Sequence, residues 1–162
     1  MFRKSQAALE FLTTYGWAFL VILIMIGTLA YFGILTPSKI LPNRCTFGAE
    51  FQCEDYQISA AANTFRLRLK NGVGEPLSIS AISLSSEGAT SYACTLTTPA
   101  SLPYTWTSSQ TTDFVWGTCN SAVAGFIGGE KGKVLVTVTY NTISSGTNYA
   151  RQVKGEVYAN II

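Results

Sequence analysis

Residues 11–35 read FLTTYGWAFLVILIMIGTLAYFGIL, and this stretch decides the architecture of the chain. It lies within 28 consecutive residues, between Glu10 and Lys39, that carry no charge. As an α-helix, residues 11–35 span roughly 37 Å, more than the roughly 30 Å of hydrocarbon in a bilayer. Because its large side chains point in every direction around the helix, one stripe of contacts does not cover them. The sequence therefore predicts an apolar α-helix over residues 6–36 that lies in a membrane or in a helical assembly.

The composition of the whole chain argues against several classes of protein. Of 162 residues, 48% are hydrophobic and 12% are charged, and the 11 basic and 9 acidic residues create no basic field for nucleic acid. Histidine is absent, which removes the commonest metal ligand and the usual general base. Neighbouring carboxylates such as Glu54 and Asp55 stand in no catalytic motif. We therefore expect no enzymatic activity, no cofactor and no metal.

The residues before the apolar run narrow its interpretation. A secretory signal peptide has an apolar core of about 7 to 15 residues, which is shorter than this run. A permanent single-pass anchor fits the length. However, the flank contains basic Arg3 and Lys4, and the lone carboxylate of Glu10 lies at the mouth of the helix, where its burial is costly unless a cation compensates it. A new amino terminus would supply that cation.

The stretch RKSQAALEFLTTYGWAFLVILI resembles the class III signal peptide of archaeal type IV pilins. The resemblance implies a leader over residues 1–5, cleavage between Ser5 and Gln6 by a membrane prepilin peptidase, and Glu10 as the fifth residue of the mature chain. Related archaellins share this processing, but their mature starts usually lack the glutamate. The likeness is close over about the first 35 residues, and beyond them it is limited to disulfides, Ser/Thr richness and short strands.

The resemblance implies a structural subunit that polymerises through its helix into an extracellular filament, used for adhesion. In that assembly the α-amine of Gln6 would pair with Glu10 of a neighbouring copy. The implied partners are other copies of the chain, the cell membrane before assembly, the prepilin peptidase, an assembly ATPase and a membrane platform. The alternative is a single-pass anchored extracellular β-domain that binds a ligand as a monomer.

From residue 37 onward, Ser, Thr and Gly alternate with apolar residues, which predicts one antiparallel β-sandwich-like head over residues 37–162 and an α+β fold for the chain. The run TFRLRLK, residues 64–70, predicts a half-exposed strand with a solvated basic face. Residues 77–84 predict a second strand. Residues 133–140 and 149–161 predict a hairpin with its turn near residues 144–146.

All four cysteines, Cys45, Cys53, Cys94 and Cys119, follow the apolar run. Their even number, with no Cys-x-x-Cys, predicts two disulfides in an oxidising compartment. The basic leader favours the cytoplasm, which leaves the cysteines outside the cell. Four cysteines allow three connectivities, of which we take Cys45 with Cys53 and Cys94 with Cys119 as a working hypothesis.

Residues 95–120 contain two prolines and two tryptophans among polar residues and predict a long loop. Two interpretations of its aromatic residues are open. They form an exposed binding surface, or they cover one end of the sandwich and contact the next subunit.

Overall fold

The computed structural model describes residues 3–32, 41–87 and 92–162. The chain divides into two compact units, Met1–Leu41 and Pro42–Ile162. The first unit contains one helix, α1 (Arg3–Tyr31), and the second, the head, is built from β-strands. The predicted α+β fold is therefore confirmed, while the predicted boundary between residues 36 and 37 lies outside the described residues.

Two antiparallel sheets make up the head. Their strands, in chain order, are β1 (Arg44–Thr46), β2 (Phe51–Ser59), β3 (Thr64–Asn71), β4 (Leu77–Ser86), β5 (Thr95–Thr98), β6 (Tyr104–Trp106), β7 (Thr111–Gly117), β8 (Lys131–Thr142) and β9 (Arg151–Asn160). A short 3-10 turn, Thr147–Tyr149, precedes β9. The five-stranded sheet has the order β1-β9-β8-β4-β6, and the four-stranded sheet has the order β2-β3-β7-β5.

The core lies between the two sheets, and both contribute to it through alternating residues. Strand β8 buries Val134, Val136, Val138 and Tyr140, and the residues between them are half-exposed. On the opposite sheet, β3 buries Phe65, Leu67 and Leu69 in the same way. Strands β3 and β4 and the hairpin of β8 and β9 agree with the strands predicted from sequence, and in β3 and β8 this alternation is the reason.

The predicted long loop over residues 95–120 is wrong. This segment forms β5, β6 and β7, and its tryptophans, Trp106 and Trp116, are fully buried in the core. The ring of Trp106 stacks on Phe51 at 5.1 Å, and its indole Nε1 donates a hydrogen bond to the Gln110 carbonyl at 3.0 Å. Both tryptophans are therefore core residues, and the interpretation of them as an exposed binding surface is wrong.

Both predicted disulfides are present with the pairing of the working hypothesis. The Cys45–Cys53 bond joins β1, an edge strand of one sheet, to β2, an edge strand of the other. The Cys94–Cys119 bond joins the residue before β5 to a residue just after β7, two strands that pair with each other. Each disulfide therefore links two segments at the edge of a sheet or at the ends of paired strands.

Candidate functional site

Exposed apolar side chains cover all sides of α1, and this is the most prominent surface feature of the described residues. The segment Leu9–Tyr31 is 23 residues long with a mean hydropathy of 1.9, and none of its apolar window is buried. Fourteen large apolar side chains are exposed along it. At about 1.5 to 3 kcal/mol each, covering them contributes on the order of 20 to 40 kcal/mol. The length and composition of α1 suit a membrane anchor or a signal sequence.

The threonine hydroxyl groups inside this apolar segment donate hydrogen bonds to carbonyl groups of the helix itself. Thr13 Oγ1 donates to the Leu9 carbonyl at 3.0 Å, and Thr14 Oγ1 donates to the Glu10 carbonyl at 2.7 Å. Further along, Thr28 Oγ1 donates to the Met25 carbonyl at 2.8 Å. Because these three hydroxyl groups need no water, they do not oppose entry of the helix into lipid or its packing against other helices. The role of these threonines was not predicted from the sequence, although a threonine within an apolar helix typically donates to a carbonyl group of the preceding turn.

Two glycines give α1 a side on which another backbone can approach. A Cβ atom added at Gly16 or Gly27 meets no other atom within 4 Å. Eleven residues separate them, which at about 100° per residue puts both glycines on nearly the same side of the helix. Small residues in such positions allow close helix packing in apolar surroundings.

The predicted processing residues lie in the first turns of α1. The helix begins at Arg3, so Arg3, Lys4, Ser5 and Gln6 have helical backbone. Glu10 is exposed and lies four residues after Gln6, which places the two positions one turn apart on the same face. The geometry of α1 thus puts the predicted cleavage bond and the predicted assembly carboxylate at one end of the apolar segment.

On the head, Arg68 on the basic face of β3 lies between acidic residues of both neighbouring strands. Arg68 lies opposite Asp55 on β2 and opposite Asp113 on β7. Its guanidinium binds the Asp113 carboxylate through two hydrogen bonds of 2.6 and 3.0 Å. This pairing lowers the pKa of Asp113 and raises the pKa of Arg68. An open groove of about 290 Å³ runs along these residues, and its charges largely neutralise one another.

A second ion cluster fastens the edge strand β1. Glu156 on β9 binds Lys133 on β8 at 3.0 Å and also binds Arg44 on β1. Lys133 also lies 3.5 Å from Glu87. Hydrogen bonding to Lys133, followed by Arg44, lowers the pKa of the Glu156 carboxyl. The cluster therefore holds three adjacent strands together at the place where the chain enters the head.

Comparisons with known proteins add no relative. No protein-family model matches this chain, and no curated protein sequence matches it significantly. Across residues 3–32, 41–87 and 92–162, no group of three or more Cys, Asp and Glu side chains is placed to hold a metal ion. The exposed apolar surface of α1 is thus the feature that any function of this chain has to explain.

Proposed function

We propose that this chain is the precursor of a pilin similar to those of archaeal type IV pili. A prepilin peptidase removes residues 1–5, and the mature chain polymerises through α1 into an extracellular filament. The observation that carries this proposal is the helix itself. Its 23-residue segment Leu9–Tyr31 is apolar on average, with none of its apolar window buried, contains the single carboxylate of Glu10, and is preceded by Arg3, Lys4, Ser5 and Gln6.

Removal of residues 1–5 changes the environment that α1 prefers, from the bilayer to a bundle of helices. In the precursor, the positive charges of Arg3 and Lys4 hold the start of the helix at the cytoplasmic surface. Cleavage removes both, and the side chains that remain carry nine basic and nine acidic charges. The helix then leaves the bilayer for a bundle of other copies, where its apolar side chains stay out of water. The new α-amine of Gln6 pairs with Glu10 of a neighbouring copy and sets the register.

The head suits the outer part of such a filament. Its core is closed by two disulfides, which persist in an oxidising compartment. Its groove carries balanced charges and is open to solvent. We therefore place the head outside the cell, with adhesion to surfaces as the use of the fibre. An assembly ATPase and a membrane platform act in its export.

Intact mass and amino-terminal sequencing of the native protein test this proposal. A chain that begins at Gln6, recovered from extracellular filaments, is the expected result. A chain that keeps residues 1–5 and stays in the membrane fraction contradicts it and supports a single-pass anchored domain that binds a ligand as a monomer. Electron microscopy of the same fractions shows whether filaments are present.

A further inference from the structure

The groove on the four-stranded sheet is lined by five polar side chains from three adjacent strands. Asp55 and Gln57 lie on β2, Arg66 and Arg68 on β3, and Asp113 on β7. Asp55 and Asp113 lie on either side of Arg68, and Gln57 lies opposite Arg66. Because alternate residues of a strand share a face, these five residues lie on the side of the sheet away from the core. We call this surface the polar groove.

Two acidic side chains of the polar groove are held in place by hydrogen bonds. The Asp113 carboxylate accepts two hydrogen bonds from the Arg68 guanidinium, at 2.6 and 3.0 Å, and Asp55 Oδ1 accepts one from the Tyr56 amide at 2.8 Å. Arg68 and Asp113 nevertheless leave 48% and 53% of their side-chain surfaces exposed. Since each carboxylate oxygen has more than one lone pair, both aspartates can accept further hydrogen bonds from a ligand.

Two other side chains of the polar groove have unused hydrogen-bonding capacity. Both Gln57 and Arg66 are exposed, and among the described residues neither side chain has a hydrogen-bond or ion-pair partner. Arg66 presents five N–H donors, and the Gln57 amide both donates and accepts. The polar groove therefore offers open donors beside oriented acceptors.

Charge and hydropathy limit the chemical class of ligand that suits this surface. Its two arginines and two aspartates balance, and an anionic ligand near Arg68 would also meet the carboxylates on either side of it. Within the described residues of β2, β3 and β7, no large hydrophobic side chain is exposed to anchor a lipid or an apolar peptide. A neutral ligand rich in hydroxyl groups fits better, because each hydroxyl both donates and accepts.

We infer that the polar groove binds a neutral saccharide. Arg66 and Gln57 donate hydrogen bonds to sugar oxygens, and Asp55 and Asp113 accept hydrogen bonds from sugar hydroxyl groups. The inference deepens the proposed function and rests on it for the location of the head outside the cell, since it names the class of molecule to which the filament adheres. The many copies in one filament turn weak binding at each site into firm attachment.

Binding of the full-length chain to a microarray of neutral and acidic oligosaccharides tests this inference. The chain is kept in dodecylphosphocholine micelles, because this detergent contains no sugar and binding then does not require polymerisation. We expect neutral oligosaccharides to be retained at least as strongly as acidic ones. A preference for acidic oligosaccharides, or no retention of neutral ones, overturns the inference.

Two pairs of matched variants locate the binding on the head. Gln57→Ala and Arg66→Gln change residues that line the polar groove, whereas Gln52→Ala and Lys70→Gln change residues of the same two strands outside it. We expect Arg66→Gln to weaken binding to a retained neutral oligosaccharide at least about tenfold and Gln57→Ala at least about threefold. The two control variants should bind like the wild type, and the thermal midpoint of the head should stay unchanged in all four. Equal binding by groove and control variants overturns the inference.

The same measurements separate this inference from the proposed function. A chain that is cleaved before Gln6 and forms filaments, but retains no neutral oligosaccharide, overturns the inference alone. A chain that binds saccharide in micelles, yet keeps residues 1–5 and forms no filaments, contradicts the proposed function and leaves the saccharide site standing.

Discussion

The helix α1 and the head keep apolar side chains away from water in opposite ways. The head closes its core within one copy: Trp106 and Trp116 are fully buried, and two disulfides hold its margins. Along α1 the large side chains are exposed, as Trp17 illustrates with 68% of its surface open. One region therefore owes its stability to contacts inside the chain, and the other needs partners outside it. Substitutions that affect only one of the two regions measure how independent they are.

Glu10→Gln is expected to have the largest effect on assembly. Cleavage after Ser5 should continue, but the α-amine of Gln6 would enter an apolar bundle without its carboxylate. An unpaired buried charge costs about 3 to 5 kcal/mol, which weakens subunit association by at least about a hundredfold. Amino-terminal sequencing and filament yield measure the two steps separately.

The control for this substitution is Glu54→Gln, which changes an exposed carboxylate on β2 that accepts a hydrogen bond from Thr111 at 3.2 Å. It should leave both processing and filament yield unchanged. Normal filaments from Glu10→Gln would refute the proposed pairing of the amine with the carboxylate.

Replacement of one tryptophan in each region compares them directly. Trp106→Ala removes a fully buried ring that stacks on Phe51, and we expect it to destabilise the head by about 3 to 5 kcal/mol. Trp17→Ala removes an exposed ring from α1, so the thermal midpoint of the head should not change. Circular dichroism of the β signal measures both. A loss of head stability in Trp17→Ala would show that the two regions are coupled.

The elements that could be predicted from the sequence are those along which a single residue pattern continues. The apolar run of α1 and the alternation in β3 and in residues 131–140 of β8 each continue over most or all of the element, so the pattern identifies it. Strand β2 was missed because its register shifts between Cys53 and Asp55, which breaks the alternation and places Glu54 and Asp55 side by side.

Strands β5 and β6 were missed for a different reason. They have four and three residues, and Pro99 and Pro103 lie between them, so their local pattern is that of a loop. Only pairing with β7 and β4, which are distant in sequence, makes them strands.

Removal of the disulfides, one at a time, ranks their contributions to the head. The Cys94–Cys119 bond closes a separation of 25 residues and the Cys45–Cys53 bond one of 8. Loop entropy gives costs of about 3.5 and about 2.5 kcal/mol for paired replacement by Ala. Thermal unfolding of the two double variants should therefore rank Cys94–Cys119 as the greater contributor. The reverse order would mean that the link between the two sheets matters more than loop length.

Glu156→Gln is expected to have the smallest effect, and its pH dependence identifies the cause. Because Lys133 and Arg44 lower the pKa of Glu156 in the folded head, its contribution is present above the ordinary glutamate pKa of about 4.3 and is lost as the pH falls through the lower folded value. Near neutral pH the substitution should cost about 0.2 to 1 kcal/mol, because the carboxylate is partly exposed and solvent screens it.

Thermal unfolding at several pH values checks this expectation, with the exposed Glu130→Gln as the matched control. The wild type and Glu156→Gln should differ in midpoint at pH 7 and converge as the pH falls below 4, since protonation then removes the same charge from the wild type. A difference that is constant with pH would assign the role of Glu156 to packing of the β1 edge. Because the ion cluster of Glu156 lies entirely within the head, Glu156→Gln should leave filament assembly unchanged.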